Sequence, residues 1–265
     1  MNNPKIYLAL DNCFAIKRWV EPETWLPLIK ELGFTSIEAS FDNEIDMFYT
    51  SKEYQKEWFE RLEKTEKEYG ISVKSFYTGY QTYRTSGLAN PNPMLVDSLI
   101  NGWVKPAIDK MAERKNDMGF SLHCIPEDAM QDPVKYKEVH EKLYQIYSDI
   151  GAYAKEKGGV KVCIEAMYTP QHTPWTIEGT KEFLKNIYAL DHNPMYTTVD
   201  IGHMTGQRKF RKPSKEDILN ALKEAVKNED MECGLWLGAD EVYDLWRQAV
   251  AAKDDSESKA EQIIT

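Results

Sequence analysis

The chain has 265 residues, 42% of them hydrophobic and 29% charged, with a formal net charge of −10. That length and balance suit one large α/β domain with a substantial core and exclude a disordered chain. The acidic charge argues against broad attraction to nucleic acid or anionic membrane, and no run approaches the ~18 apolar residues a membrane span needs.

Met1-Asn-Asn-Pro-Lys5 carries no signal-peptide pattern. Cys13, Cys124, Cys163 and Cys233 are scattered without a CxxC pair, which reads as free thiols in a reducing, cytoplasmic setting. Residues 6–10 predict a strand. Residues 22–32 predict a helix with Pro22 near its first turn, Gly33 past its end and Pro27 inside it, able to kink it or delay its start. A short strand follows at 36–41. A charged amphipathic helix covers 51–69, capped by Ser51 and stopped by Gly70. Residues 73–77 form the third strand, and 79–93 a loop rich in Thr, Gly, Asn and Pro. The next helix runs from 94 to about 112 and bends near Pro106. A strand at 120–125 and a helix from Asp132-Pro133 to about 157 come next. The strand at 160–166 leads to a helix starting near Pro174 or Thr176, and 195–200 is the sixth strand.

After Gly206 the pattern changes. Residues 214–226 and 238–252 read as helices. Residues 231–237 are a candidate short strand that Gly234 weakens, and 253–259 are highly charged. The basic run Arg208-Lys-Phe-Arg-Lys212 reads as a solvated loop. Six strand–helix alternations imply a parallel sheet. No GxGxxG follows the first strand and no P-loop occurs, while Glu38, His123, Glu165, Asp200 and His203 all lie at or near strand ends. That distribution favours a TIM-type (β/α) barrel of parallel strands over a doubly wound sheet. The expectation is one domain over 1–265, with six repeats to residue 206 and a helical segment over 207–265. A closed barrel needs eight strands, so the barrel is expected to be incomplete at its C-terminus.

Glu165 ends Val160-Lys-Val-Cys-Ile-Glu, and Asp200 ends Met195-Tyr-Thr-Thr-Val-Asp. A carboxylate closing an apolar, buried-type strand is poorly explained by packing. Two of them on neighbouring strands, with His203 three residues after the second, suit a divalent cation. His123, Glu38 and His172 are further candidates for substrate binding. Their structural alternatives are a satisfied core histidine, a hydrogen bond to a neighbouring strand end and an ordinary turn. Trp19, Phe41, Tyr77 and Trp175 are read either as an apolar wall for a sugar ring or as core. His140 is expected to be exposed on its charged helix, and His192 to sit in a turn.

Ile37-Glu-Ala, Ile164-Glu-Ala and Val199-Asp-Ile-Gly-His203, in that order, resemble the xylose isomerase-like TIM-barrel superfamily over residues 5–206. The resemblance implies a Mn²⁺, Mg²⁺, Co²⁺ or Zn²⁺ ion held by Glu165 and Asp200, with His203 as a substrate contact or a further ligand. Such families also take a histidine from the seventh strand and a carboxylate from the eighth. None of the five histidines here follows His203, which suggests that the last two strands are missing or rearranged. The implied activity is divalent-metal-dependent sugar isomerisation or epimerisation through proton transfer next to a carbonyl, with Glu165 as the base. The alternatives are a lyase of the same superfamily (a dehydratase or a C-glycoside-cleaving subunit), an endonuclease IV-like repair enzyme, and a non-catalytic truncated barrel. Five histidines and a charge of −10 argue against the repair enzyme. The expected partners are a sugar or sugar derivative and a further copy or partner subunit, with no nucleic acid and no membrane.

Overall fold

Strands and helices alternate through the computed structural model, which describes residues 8–12, 21–42, 45–79, 85–207 and 235–236. The strands are β1 (Leu10–Asp11), β2 (Ser36–Ser40), β3 (Ser72–Thr78), β4 (Asp117–Phe120), β5 (Val162–Ala166), β6 (Tyr196–Asp200) and β7 (Leu235–Trp236). They lie in chain order in one sheet, and every neighbouring pair is parallel. The helices are α1 (Pro22–Glu31), α2 (Lys52–Tyr69), α3 (Pro93–Leu99), α4 (Lys105–Arg114), α5 (Glu127–Met130), α6 (Pro133–Glu156), α7 (Ile177–Asp191) and α8 (Ile201–Gly206). This is the parallel barrel architecture read from the sequence, incomplete among the described residues. β7 makes a seventh strand out of the segment that Gly234 had weakened, and no eighth occurs among the described residues.

The sheet has two chemically different faces because side chains alternate along a strand. Ile37, Ala39, Phe76, Met118, Phe120, Val162 and Ile164 join the buried core, together with Trp25, Trp58 and Trp103 from the helical layer. The alternate positions, among them Glu38, Tyr77, Gly119, Glu165, Thr198 and Asp200, face the inside of the curl. Helix ends follow local chemistry. Ser51 accepts from the Tyr54 N–H, Asp132 from Val134 and Lys135, and Thr176 from Gly179. Pro27 lies within α1 without delaying its start at Pro22.

Three expectations need correction. The helix over 94–112 does not bend simply at Pro106: Ile100–Val104 form a π turn between α3 and α4. Pro106 has no N–H to donate, and its ring would crowd the carbonyl four residues back, so the wider turn relieves both problems. The fourth strand ends at Phe120 instead of beginning there. Asp117 and Gly119 disguise it as a loop, while Leu122 and Ile125 are buried in irregular chain bonded to Ser86, Leu88 and Gln171. His140 is buried, not exposed: its Nδ1 meets the Tyr136 carbonyl at 2.8 Å and its Nε2 meets Thr173 Oγ1 at 3.0 Å. His192 does occupy a turn, in the left-handed conformation that closes α7. Trp19, Cys13, Cys233, the basic run and the two C-terminal helices lie outside the described residues.

Candidate active site

Glu165 and Asp200 stand at the C-terminal ends of the adjacent parallel strands β5 and β6. The chain turns from β6 directly into α8, and Asp200 is its N-cap, with Oδ1 accepting the His203 N–H at 3.2 Å. This cap folds the imidazole back over the carboxylate, and His203 Nε2 comes to 3.3 Å from Asp200 Oδ2. Gly202 fits closely there: a Cβ on it would lie 3.0 Å from Asp200 Oδ1 and press on that carboxylate. His203 Nδ1 lies 3.2 Å from the Ala166 carbonyl and 3.2 Å from Glu165 Oε1. One ligand atom each from Glu165, Asp200 and His203 falls within 4.8 Å of the other two.

The electrostatics of this trio are unfavourable without a positive charge. Glu165 is 1% exposed, and burial pushes its pKa up to about 8. A hydrogen bond from Tyr77 opposes that shift, while the charges of Asp200, Glu38 and Asp11 add to it. Glu165 Oε1 has no hydrogen-bond partner. The nearby His203 Nδ1 is within ion-pair distance but makes its hydrogen bond to Ala166. A carbonyl only accepts, so Nδ1 carries the hydrogen, and Nε2 faces Asp200 Oδ2. A cation among these groups would satisfy the Glu165 Oε1 that lacks a hydrogen bond. The donor set of two carboxylates and an imidazole fixed by a backbone carbonyl therefore fits a divalent metal.

The other candidates are distributed around this trio. Glu38 on β2 accepts from Ser75 Oγ and contributes to the field at Glu165. His172 is buried in the chain after β5, hydrogen-bonded to Thr169, and close enough to His203 to feel its charge. His123 is held by other groups. It lies past the end of β4, stacked on Phe183, with Nδ1 2.6 Å from the Tyr147 hydroxyl and Nε2 3.1 Å from Thr173 Oγ1. Burial lowers its pKa to about 3, so it is neutral. Phe41 is core, packed on Phe76 and Trp103. Tyr77 is the residue whose role the sequence hid: its hydroxyl donates to Glu165 Oε2. An aromatic residue in a strand looks like core, and only its register beside Gly119 could have signalled otherwise.

The site lies inside residues 26–224, which match the xylose isomerase-like TIM barrel family. No curated protein matches the chain. Among solved structures, a candidate xylose isomerase from Rhodospirillum rubrum is similar with a TM-score of 0.69 and 17% identity, covering 94% of this chain and 99% of that one. A D-psicose 3-epimerase solved with D-fructose has a TM-score of 0.63 and 15% identity over 93% of this chain and 81% of its own. D-Psicose 3-epimerase from Clostridium cellulolyticum, solved with D-tagatose, has a TM-score of 0.63 and 13% identity over 97% and 95%. These likenesses agree on the fold, and the match over residues 26–224 covers most of the sequence: the chain belongs to the xylose isomerase-like TIM barrel family.

Proposed function

We propose that this chain is a divalent-cation-dependent sugar isomerase or epimerase, acting as a single domain over residues 1–265 in the cytoplasm. The observation that carries this reading is the buried Glu165 Oε1, without a hydrogen-bond partner, beside Asp200 and His203. Fold neighbours solved with ketohexoses support the choice of substrate class. Glu165, Asp200 and His203 would hold the ion, with Mn²⁺, Mg²⁺, Co²⁺ and Zn²⁺ the candidates. Once bound, the ion supplies Lewis acidity toward substrate oxygens.

The chain's own groups do the rest. Glu165 takes a proton from the carbon next to the carbonyl and returns it to the former carbonyl carbon, with the hydroxyl proton passing to the carbonyl oxygen, which completes an isomerisation; an epimerisation needs the return on the opposite face, from a second acid. Burial raises the proton affinity of this carboxylate and excludes water from the transfer. His203, the most exposed of the three side chains and oriented through Nδ1 by the Ala166 carbonyl, would present Nε2 to the ion at the substrate-facing side of the trio. Glu38 and His172 flank the trio as substrate contacts. His123 acts at one remove, through the segment that follows Glu165.

The test is a Mn²⁺ titration of the purified full chain, followed by a ketohexose interconversion assay with and without chelator. Cation binding by the wild type, its loss in Glu165→Gln, and chelator-sensitive turnover are expected. Turnover indifferent to chelation, or wild-type protein that binds no divalent ion, would overturn the reading. His203→Ala is expected to lower turnover by roughly 10²-fold or more while shifting the melting temperature little.

A further inference from the structure

Tyr77 and Glu165 lie on β3 and β5, with β4 between them. Two strand spacings amount to roughly 9–10 Å. The register sets Tyr77 beside Gly119 on β4, and Gly119 beside Cys163, two residues before Glu165 on β5. A tyrosine reaches across to a glutamate most readily over a strand position with little bulk, and Gly119 supplies one. A Cβ placed on it would lie 3.4 Å from Tyr77 Cδ2 and 3.3 Å from Thr198 Oγ1. The ring therefore lies across bare backbone, and its hydroxyl reaches Glu165 Oε2. Glycine weakens a strand interior, so its presence in β4 calls for a reason, and close approach of this ring supplies one.

The consequence falls on the carboxylate. Its two oxygens are unequal: Oε2 is bonded to Tyr77, while Oε1 lies beside Asp200 and His203 with no hydrogen-bond partner. A glutamate free at both oxygens could swing or present both at once. Resting on the cation-dependent reading above, we infer that Tyr77, seated on Gly119, is a positioning residue that anchors Glu165 Oε2 so that Oε1 is the oxygen presented for cation and proton. Hydrogen-bond partners of ligating carboxylates are a general means of orienting them, and here the partner comes from a strand two places away.

The experiment uses the full chain and the variants Tyr77→Phe, Gly119→Val and their double; if valine prevents folding, Tyr77→Phe alone decides. Tyr77→Phe keeps the ring on Gly119 and removes only the donor. Its melting temperature should stay close to wild type, and a metal-free crystal structure should show the Glu165 carboxylate displaced by roughly 1 Å or more. Mn²⁺ affinity measured by calorimetry should fall roughly 10–100-fold, and kcat on a ketohexose should fall by a larger factor than KM rises. The glycine variant should move in the same direction. The double should lie within roughly threefold of the worse single, because both changes act through one hydroxyl. Glu165 unmoved in Tyr77→Phe, or fully additive losses in the double, would overturn the inference. A wild-type chain that bound no Mn²⁺ would defeat the proposed function instead, and the metal-free structures would still decide the role of Tyr77.

Discussion

The Glu165 carboxyl titrates near 8 in the folded chain, against 4.5 for an ordinary glutamate. Between those values the folded chain holds a proton that the unfolded chain has released, so this residue makes the metal-free protein less stable as pH rises across that window. His123 acts in the opposite sense up to its ordinary value of 6.5, because burial holds its folded pKa near 3. Comparison with Glu165→Gln separates the two, since both proteins keep His123. In chelator, the melting temperature of the variant relative to wild type should increase steadily from pH 5 to pH 8, and a constant difference would show that Glu165 does not titrate there. Asp200→Asn probes the other acid by a different route. Asparagine caps a helix about as well as aspartate, so α8 should persist and the fold with it. Divalent-cation affinity should fall at least tenfold, as a calorimetric titration would record.

The segment between β5 and α7 is held by a hydrogen-bonded chain whose direction follows from its last acceptor. The Tyr136 carbonyl only accepts, so His140 Nδ1 is the donor and its Nε2, in the neutral ring, accepts from Thr173. Thr173 Oγ1 must then accept from His123 Nε2, and Tyr147 donates to His123 Nδ1. Every polar atom of this buried relay is used, and it fastens the segment after Glu165 to α6. Thr173→Val keeps the shape but strands one imidazole N–H and one imidazole nitrogen. The expected cost is about 2–4 kcal/mol, a melting-temperature loss on the order of 10 °C, with Thr173→Ser close to wild type. Equal stability of Val and wild type would mean the relay is not made. None of this was legible in the sequence, where His123, His140 and Thr173 are far apart and each has an ordinary local reading. Glu165 and Asp200 were legible because a carboxylate closing an apolar strand stands against its local pattern. The caps at Ser51, Asp132 and Thr176 were legible because capping is local chemistry. β4 was misplaced because its interior glycine serves Tyr77, a tertiary cause that no window along the chain contains.

At the scale of the molecule, the sheet has two ends. β2 to β6 each pair on both sides, whereas β1 and β7 contribute two residues each and pair with one neighbour among the described residues. Backbone groups on such edges face either solvent or a further partner. The sequence reading of an incomplete barrel and the observed strand order converge on this point from different directions: one from the thinning of strand patterns after Asp200, the other from the pairing itself. Native-state hydrogen exchange of the full chain tests it. Amides of β3, β4 and β5 should be the slowest, opening only with global unfolding. Those of Leu10, Asp11, Leu235 and Trp236 should exchange faster by orders of magnitude, because opening them breaks pairing on one side only. The two candidate-site carboxylates would then sit on strands of unequal security, since Glu165 lies on β5, well inside the sheet, and Asp200 on β6, next to its end. A cation held by both carboxylates would bridge the two strands, so adding Mn²⁺ should slow exchange in β6 and at the start of α8 more than in β5. Protection at β1 and β7 equal to that of β4 would show that both ends are paired beyond the described residues, and the edge argument would fall.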